Sequence, residues 1–422
     1  YIRRQRQMCI RDSSNHAAFF DYDKDGDLDC YLLNNSFDSF AAAQLKKDLR
    51  NKRDPSGANK LYRNEGDHFV DVSEEAGIYG SAIGFGLGVT IGDINRDGWQ
   101  DIYVSNDFFE RDYLYINNQD GTFSELLEQQ INEISLGSMG ADIADINNDA
   151  YPEIFVTEML PDKEDRLKTK AMFESWERYQ HNVEIGYHHQ FARNVLQLNN
   201  QDDTFSEIGR LAGVDATDWS WSASIWDMDN DGWKDIFVAN GIFKDLLDQD
   251  YIGLYTDPNI MRSMMKEDDK AILKLIDAIP SEKISNYAFR NNKDLTFSDH
   301  AESWGLGSLS HSNGSAFGDL DNDGDLDLVV NNVNMPSFIY KNNSKETSED
   351  HFVQFKLTGT GMNRNAIGSQ VVLIAGDKKF YQELIPTRGF MSSVDGVMLF
   401  GLGDVIEIDS ALFDWADVRV CG

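Results

Sequence analysis

Cysteine and proline are scarce in this chain, at three and seven of 422 residues. Cys9, Cys30 and Cys421 give no disulfide framework, two of them lying near the chain ends. No apolar run reaches the roughly 18 residues of a membrane-spanning helix, so membrane insertion in this segment is excluded. No signal peptide is visible either. Basic residues are few, 38 against 72 acidic ones, and the formal charge of −34 argues against nucleic acid and anionic membrane as partners. Hydrophobic residues still make up 41%, enough for a large core, so the acidity is not that of a disordered tail.

The acidic residues are patterned. Five nine-residue segments place oxygen-bearing side chains at positions 1, 3, 5 and 9 around a turn at position 6. They are DYDKDGDLD (Asp21, Asp23, Asp25, Asp27, Asp29), DINRDGWQD (Asp93, Asn95, Asp97, Asp101), DINNDAYPE (Asp145, Asn147, Asp149, Glu153), DMDNDGWKD (Asp227, Asp229, Asp231, Asp235) and DLDNDGDLD (Asp319, Asp321, Asp323, Asp325, Asp327). Alternate oxygens, a sharp turn and a closing carboxylate suit a hard cation that takes six to eight oxygens, and calcium is the expected occupant of about five sites. The backbone carbonyl of position 7 (Asp27, Trp99, Tyr151, Trp233, Asp325) is expected as a further ligand. Five divalent ions would reduce the net charge to about −24.

An EF-hand shares the opening of this pattern but needs a bidentate Glu at position 12 and flanking helices. Position 12 is instead Leu32, Val104, Val156, Val238 and Val330, each inside a strand-like run such as DIYVSN or DIFVAN. The ligand set must close at position 9, with each loop lying between two strands. The third loop is expected to be the weakest, because Ala150 replaces the turn glycine, Pro152 lacks a donor and Glu153 replaces Asp.

A second element recurs between the loops: KLYRNEGDHFVDVSEEAGI at 60–78, YLYINNQDGTFSELL at 113–127, VLQLNNQDDTFSEIGRLAGV at 195–214 and YAFRNNKDLTFSDHAESWGL at 287–306. Each reads as a hairpin. Loop and hairpin together make a four-stranded unit, and tandem units of this kind predict an all-β propeller, five blades being readable as part of a larger ring. Extra sequence enters between the second and third strands, at 36–59, 157–193 and 241–286, with helical patterns at 41–53 and 260–279. In an antiparallel blade these insertions emerge opposite the calcium loops.

The domain reading is therefore a propeller over 14–345 and a small β-rich domain over 346–422. Residues 1–13, YIRRQRQMCIRDS, are basic and aperiodic and are read as non-native sequence.

The loops with their following strands resemble FG-GAP or VCBS-type propeller repeats. Residues 363–415 resemble the ASPIC/UnbV domain, with an N-x-x-A-I-G opening at Asn363–Gly368, GFMSS at Gly389–Ser393, FGLG at Phe400–Gly403 and a closing Trp415. Together they resemble the family of cartilage acidic protein and its bacterial relatives, although ADVRVCG follows Trp415 where that family continues W-P-x-G. The resemblance implies a secreted or surface-anchored calcium-binding module, and no shared catalytic activity comes with it.

The leading functional expectation is thus an extracellular interaction module, not an enzyme, whose partner is a protein or a glycan. The alternative is a polysaccharide-acting lyase or hydrolase with its site on the insertion face. Candidate ligand-binding residues are Trp176, Tyr187, His188 and His189, clustered with His181 and Arg193 in one insertion. Trp219 and Trp221 are expected to pack between blades, and the chain carries no G-x-S-x-G, H-E-x-x-H or P-loop pattern.

Overall fold

The computed structural model describes residues 14–36, 49–55, 57–171, 175–256 and 270–416. Residues 1–13, most of the helical stretch expected at 41–53, and 260–269 of the one expected at 260–279 lie outside the described residues. The remainder of the latter forms the helix Lys270–Ala278.

The chain folds as tandem antiparallel sheets. The first contains Ser14–Phe20, Asp29–Asn34, Lys60–Asn64 and Phe69–Asp71; the second Gly86–Gly92, Asp101–Asn106, Tyr113–Asn117 and Phe123–Glu125. The third contains Ala141–Ala144, Glu153–Val156, Val195–Asn199 and Phe205–Glu207; the fourth Ser220–Trp226, Asp235–Asn240, Tyr287–Asn291 and Phe297–Asp299. The fifth has three strands among the described residues, Ser312–Gly318, Asp327–Asn332 and Phe338–Tyr340. After Tyr340 the chain turns through the short helix Ser344–Thr347, and its next strand, His351–Phe355, pairs with Met398–Gly403 instead. In every sheet strand order follows chain order, as expected of propeller blades.

β-branched second strands explain the packing. Asp101–Asn106 and Asp235–Asn240 are buried at every residue, because both sheet faces meet a neighbouring blade. Four apolar clusters occupy the four spaces between consecutive sheets; Ile91, Ile102 and Tyr115 of the second sheet, for example, pack on Phe20, Tyr31 and Leu61 of the first.

An asparagine at the end of each third strand binds each blade to the one before it. Asn117, Asn199, Asn291 and Asn342 donate from Nδ2 to the position 2 carbonyl of the preceding blade's loop: Tyr22 at 2.8 Å, Ile94 at 3.0 Å, Ile146 at 2.8 Å and Met228 at 2.7 Å. The same amide also reaches the position 8 carbonyl of its own loop, as at Lys234 (2.9 Å). Its Oδ1 accepts the N–H two residues on, as from Lys293 at 2.8 Å. Only Asn offers two donors and an acceptor on a side chain this short.

The last part of the chain covers the loop end of the blades. His351–Phe355 pairs with Met398–Gly403, and Gln370–Ala375 pairs with both Lys378–Glu383 and Ser410–Asp414. Asn363 N donates to Gly26 O (3.1 Å) and Gly403 N to Asn230 O (2.9 Å). Gln370 Nε2 reaches Asp93 Oδ2 and Gln354 Nε2 reaches Asp319 Oδ2, both at 2.7 Å. The buried Lys234 bridges the third loop, at Asp145 O, to Tyr381 O, each 3.0 Å away.

From this cap the segment Pro386–Val394 runs down among the inner strands. Arg388 grips the buried Asp142 through both oxygens (2.8 and 2.9 Å). Gly389 then bridges Ala141, and Phe390 packs with Leu87, Met139 and Trp221 from three blades. Gly389 has φ +67°, and a Cβ there would lie 2.4 Å from Ser222 Oγ, so the plug requires glycine at that point. Trp221 is thereby accounted for by packing, 5.0 Å from the Phe390 ring.

Replacing Asn291 with Ala leaves Ile146 O and Lys234 O without this donor in a buried seam. Urea unfolding at saturating calcium should show a loss of about 2–4 kcal/mol. Alanine at the exposed neighbour Asn292 should cost under about 1 kcal/mol.

Candidate metal centres

All five loops share one backbone geometry. The position 1 carboxylate accepts the N–H groups of positions 5 and 6: Asp21 from Asp25 (3.1 Å) and Gly26 (3.0 Å), Asp227 from Asp231 (3.1 Å) and Gly232 (2.8 Å). Asp93, Asp145 and Asp319 do the same. Position 5 accepts from the N–H of position 7 in each loop: Asp25, Asp97, Asp149, Asp231 and Asp323.

The position 9 carboxylate joins three pieces of chain. One oxygen accepts the N–H of position 2, as Asp235 does from Met228 (3.0 Å). The other accepts the backbone N–H of the blade-joining asparagine, as Asp101 does from Asn117 and Asp327 from Asn342, both at 2.8 Å. Asp29 and Glu153 occupy the equivalent places.

These bonds leave carboxylate oxygens gathered and underused. In the first, fourth and fifth loops three carboxylates converge with an oxygen from each within 4.8 Å of the others: Asp21, Asp23 and Asp29; Asp227, Asp229 and Asp235; Asp319, Asp321 and Asp323. In the second and third loops Asn95 and Asn147 take position 3, so an amide oxygen stands where the others place a carboxylate. Asp23 Oδ1, Asp27 Oδ1 and Asp325 Oδ1 are buried with no hydrogen-bond partner. Burial is the main cause that pushes Asp21 up to about 7 and Asp29 to about 8, and it drives Asp101, Glu153, Asp227 and Asp235 well above the usual carboxylate range. Buried acids that resist ionisation, with oxygens from three carboxylates within 4.8 Å of one another in three loops, fit a divalent cation that would hold them charged.

Position 7 is Asp27 or Asp325 in the outer loops and Trp99, Tyr151 or Trp233 in the others, where the ring offers no ligand and only the carbonyl can serve. Position 6 is left-handed throughout, with φ +93°, +87°, +87° and +95° at Gly26, Gly98, Gly232 and Gly324. Ala150 is forced to φ +73°, a conformation that costs a residue with a Cβ about 1 kcal/mol or more.

The insertion residues lie at the other end of the strands. The helix Glu164–Lys170 is anchored by Arg166, whose guanidinium reaches Asp218 (Nη2–Oδ1 2.9 Å), Asp245 (3.2 Å) and Glu282 (2.6 Å). The following helix, Trp176–Glu184, is capped by Ser175. Trp176 is 65% exposed and stacks on Tyr179 with centroids 5.1 Å apart, and Tyr179 stacks on Phe191 at 5.5 Å. These rings line a cleft of about 700 Å³ together with Lys170, Arg193 and Glu158.

His189 touches this group, its Nδ1 2.6 Å from Tyr179 Oη. His188 is bound to Ile131 O at 2.9 Å, and burial lowers its pKa. Tyr187 points elsewhere: it is 7% exposed and packs with Ile83, Leu49, Phe109 and Ile185. Tyr179 and Phe191 escaped sequence reasoning, although the aromatic spacing W-x-x-Y from Trp176 to Tyr179 places both rings on one helix face.

Comparison with known proteins agrees with this geometry. The chain contains FG-GAP-like repeats, matched at residues 49–104, 93–156 and 279–330, and an ASPIC and UnbV domain matched at 359–421. The fourth loop, Asp227–Asp235, lies outside the matched stretches yet has the same hydrogen bonds. A stretch of 88 residues is 36% identical to integrin alpha-6 of Homo sapiens and, equally, of Gallus gallus; it represents 18% of this chain and 8% of the integrin.

Among solved structures, an Agrocybe aegerita lectin that recognises non-reducing terminal N-acetylglucosamine aligns over 92% of this chain and 85% of its own, at 12% identity and a TM-score of 0.37. An exotype rhamnogalacturonan lyase aligns over 94% and 57%, at 14% identity and a TM-score of 0.36. Likenesses this distant carry no argument about function.

Substituting Ala150 by Gly should relieve the strain in the third loop. Calorimetric titration should show one calcium site tightening by about fivefold, the equivalent of about 1 kcal/mol, with the others unmoved. An unchanged isotherm would contradict this account of the loop.

Proposed function

We propose that this protein is a calcium-stabilised interaction module that works outside the cell or at its surface and captures a protein or glycan on its insertion face. The observation that carries the reading is the division of the two ends of the blades. The loop end is committed to carboxylates and covered by the C-terminal domain, which hydrogen-bonds to Gly26, Asp93, Asn230 and Asp319. The opposite end holds the open cleft with its exposed aromatic stack.

Calcium fits the loops through the carboxylates and amides of positions 1, 3, 5 and 9, and when bound it supplies the charge that lets those buried acids ionise. At free calcium ten- to a hundredfold above the dissociation constant, each filled loop would add about 1.4–2.7 kcal/mol. Millimolar extracellular calcium meets that condition for sites with dissociation constants of about 0.1 mM or tighter. The role is structural: it holds the blades that present the cleft.

In the cleft, Trp176, Tyr179 and Phe191 offer flat apolar faces, suited to a pyranose ring or an aromatic side chain, while Lys170 and Arg193 sit at its wall. The Arg166 anchor fixes the helices in advance, which lowers the entropic cost of binding. The exposed rings of the cleft support binding as the leading role; His188 is held by a backbone carbonyl and His189 pairs with Tyr179.

A screen of immobilised glycans and surface proteins in millimolar calcium should yield a ligand whose affinity falls at least about tenfold in Trp176→Ala. Tyr187→Phe should leave it unchanged. If capture survived Trp176→Ala and was lost instead on altering residues of the covering C-terminal domain, the proposed polarity would be wrong.

A further inference from the structure

Position 3 of the loops varies in charge, and a residue on another strand varies with it. Loops with Asp at position 3 (Asp23, Asp229, Asp321) belong to blades whose third strand has a basic residue just before the blade-joining asparagine: Arg63, Arg290 and Lys341. Loops with Asn there (Asn95, Asn147) belong to blades with Ile116 and Leu198 at that place.

The structure shows why the two positions are linked. Arg290 Nε lies 2.8 Å from Asp229 Oδ2 and its Nη2 3.0 Å from Asp231 Oδ2, so one guanidinium spans positions 3 and 5. Lys341 Nζ does the same in the fifth blade, 2.7 Å from Asp321 and 3.1 Å from Asp323. Arg63 holds the same place in the first blade, where it pairs with Glu65 at 2.8 Å. In the fourth blade Lys293 adds a contact to Asp231 at 3.1 Å.

We propose that a basic residue before the asparagine that follows the third strand is the built-in counter-ion of a metal loop with Asp at position 3, as seen directly in the fourth and fifth blades. Over positions 1, 3, 5 and 9 the second and third loops carry −3 and the others −4, and in the fourth and fifth blades a third-strand cation lies against the extra carboxylate. The counter-ion limits the repulsion in a loop that folds before metal arrives, and it opposes the binding of a second cation to the same carboxylates. The inference rests on the loops being calcium sites.

The test is a calcium titration of the full chain with metal alone as probe, read by calorimetry, together with melting in EDTA. Arg290→Leu, which gives the fourth blade the residue of the third, should tighten one site about tenfold and lower the metal-free melting temperature. Arg290→Leu combined with Asp229→Asn should return that site to within about threefold of wild type.

The converse change needs no loss of an ion pair. Leu198→Arg, a half-buried position beside a loop with Asn at position 3, should weaken the third site about tenfold, and adding Asn147→Asp should restore it. A wild-type chain that bound calcium while Arg290→Leu left every site unchanged or weakened one would overturn the inference. A wild-type chain that bound no calcium would instead defeat the metal reading beneath it.

Discussion

The carboxylate at position 9 of each loop must satisfy a backbone N–H from its own loop and another from the third strand while buried among like charges. Asp101 illustrates the constraint: it is fully buried, accepts from Ile94 and Asn117, and is driven well above its usual pKa by that burial. Once it is in place, Asn117 is in place, and the Asn117 side chain reaches the loop of the blade before it. A local loop geometry is thereby converted into the spacing between blades. The four apolar seams then close at distances that the hydrogen bonds have set.

The C-terminal domain extends the same logic. Gln370 and Gln354 donate to position 1 carboxylates of the second and fifth loops, so the cap reads the loops directly. The plug at Arg388–Phe390 then joins inner strands that would otherwise face an open channel; its buried ion pair with Asp142 would be costly to break on one side only. Loop, blade and cap form one connected polar and apolar network, which leaves the insertion end as the accessible face. The aromatic stack there is held by helices that Arg166 ties to the fourth blade.

Much of this was legible in the residues. The fivefold register of carboxylates and the valine-rich runs after them are local signals, and loops, second strands and four-stranded order follow from them. What escaped depends on contacts distant in sequence. The asparagines of INN, LNN and RNN read as turn formers, because nothing local shows that Asn199 meets Ile94. GFMSS was recognisable as a motif, but its descent between blades depends on Ser222 and Ala141, over 160 residues away. Tyr187 stood beside two histidines in sequence, yet adjacent residues on an irregular segment face different ways, and its ring is spent on packing with Ile83. The pairing of position 3 with the third strand is written in the repeats, but the contact behind it joins residues about 20 to 60 positions apart and shows only in the folded blade.

The most direct test of the central claim, that bound cations hold the loops and through them the blades and cap, is differential scanning calorimetry of the full chain in calcium and in EDTA. Five loops each stabilised by about 1.4–2.7 kcal/mol should raise the melting temperature in calcium by about 8–15 °C over that in EDTA. The loop-dependent contacts of the C-terminal domain should be lost in the same transition as the blades. A scan unchanged by EDTA would contradict the account.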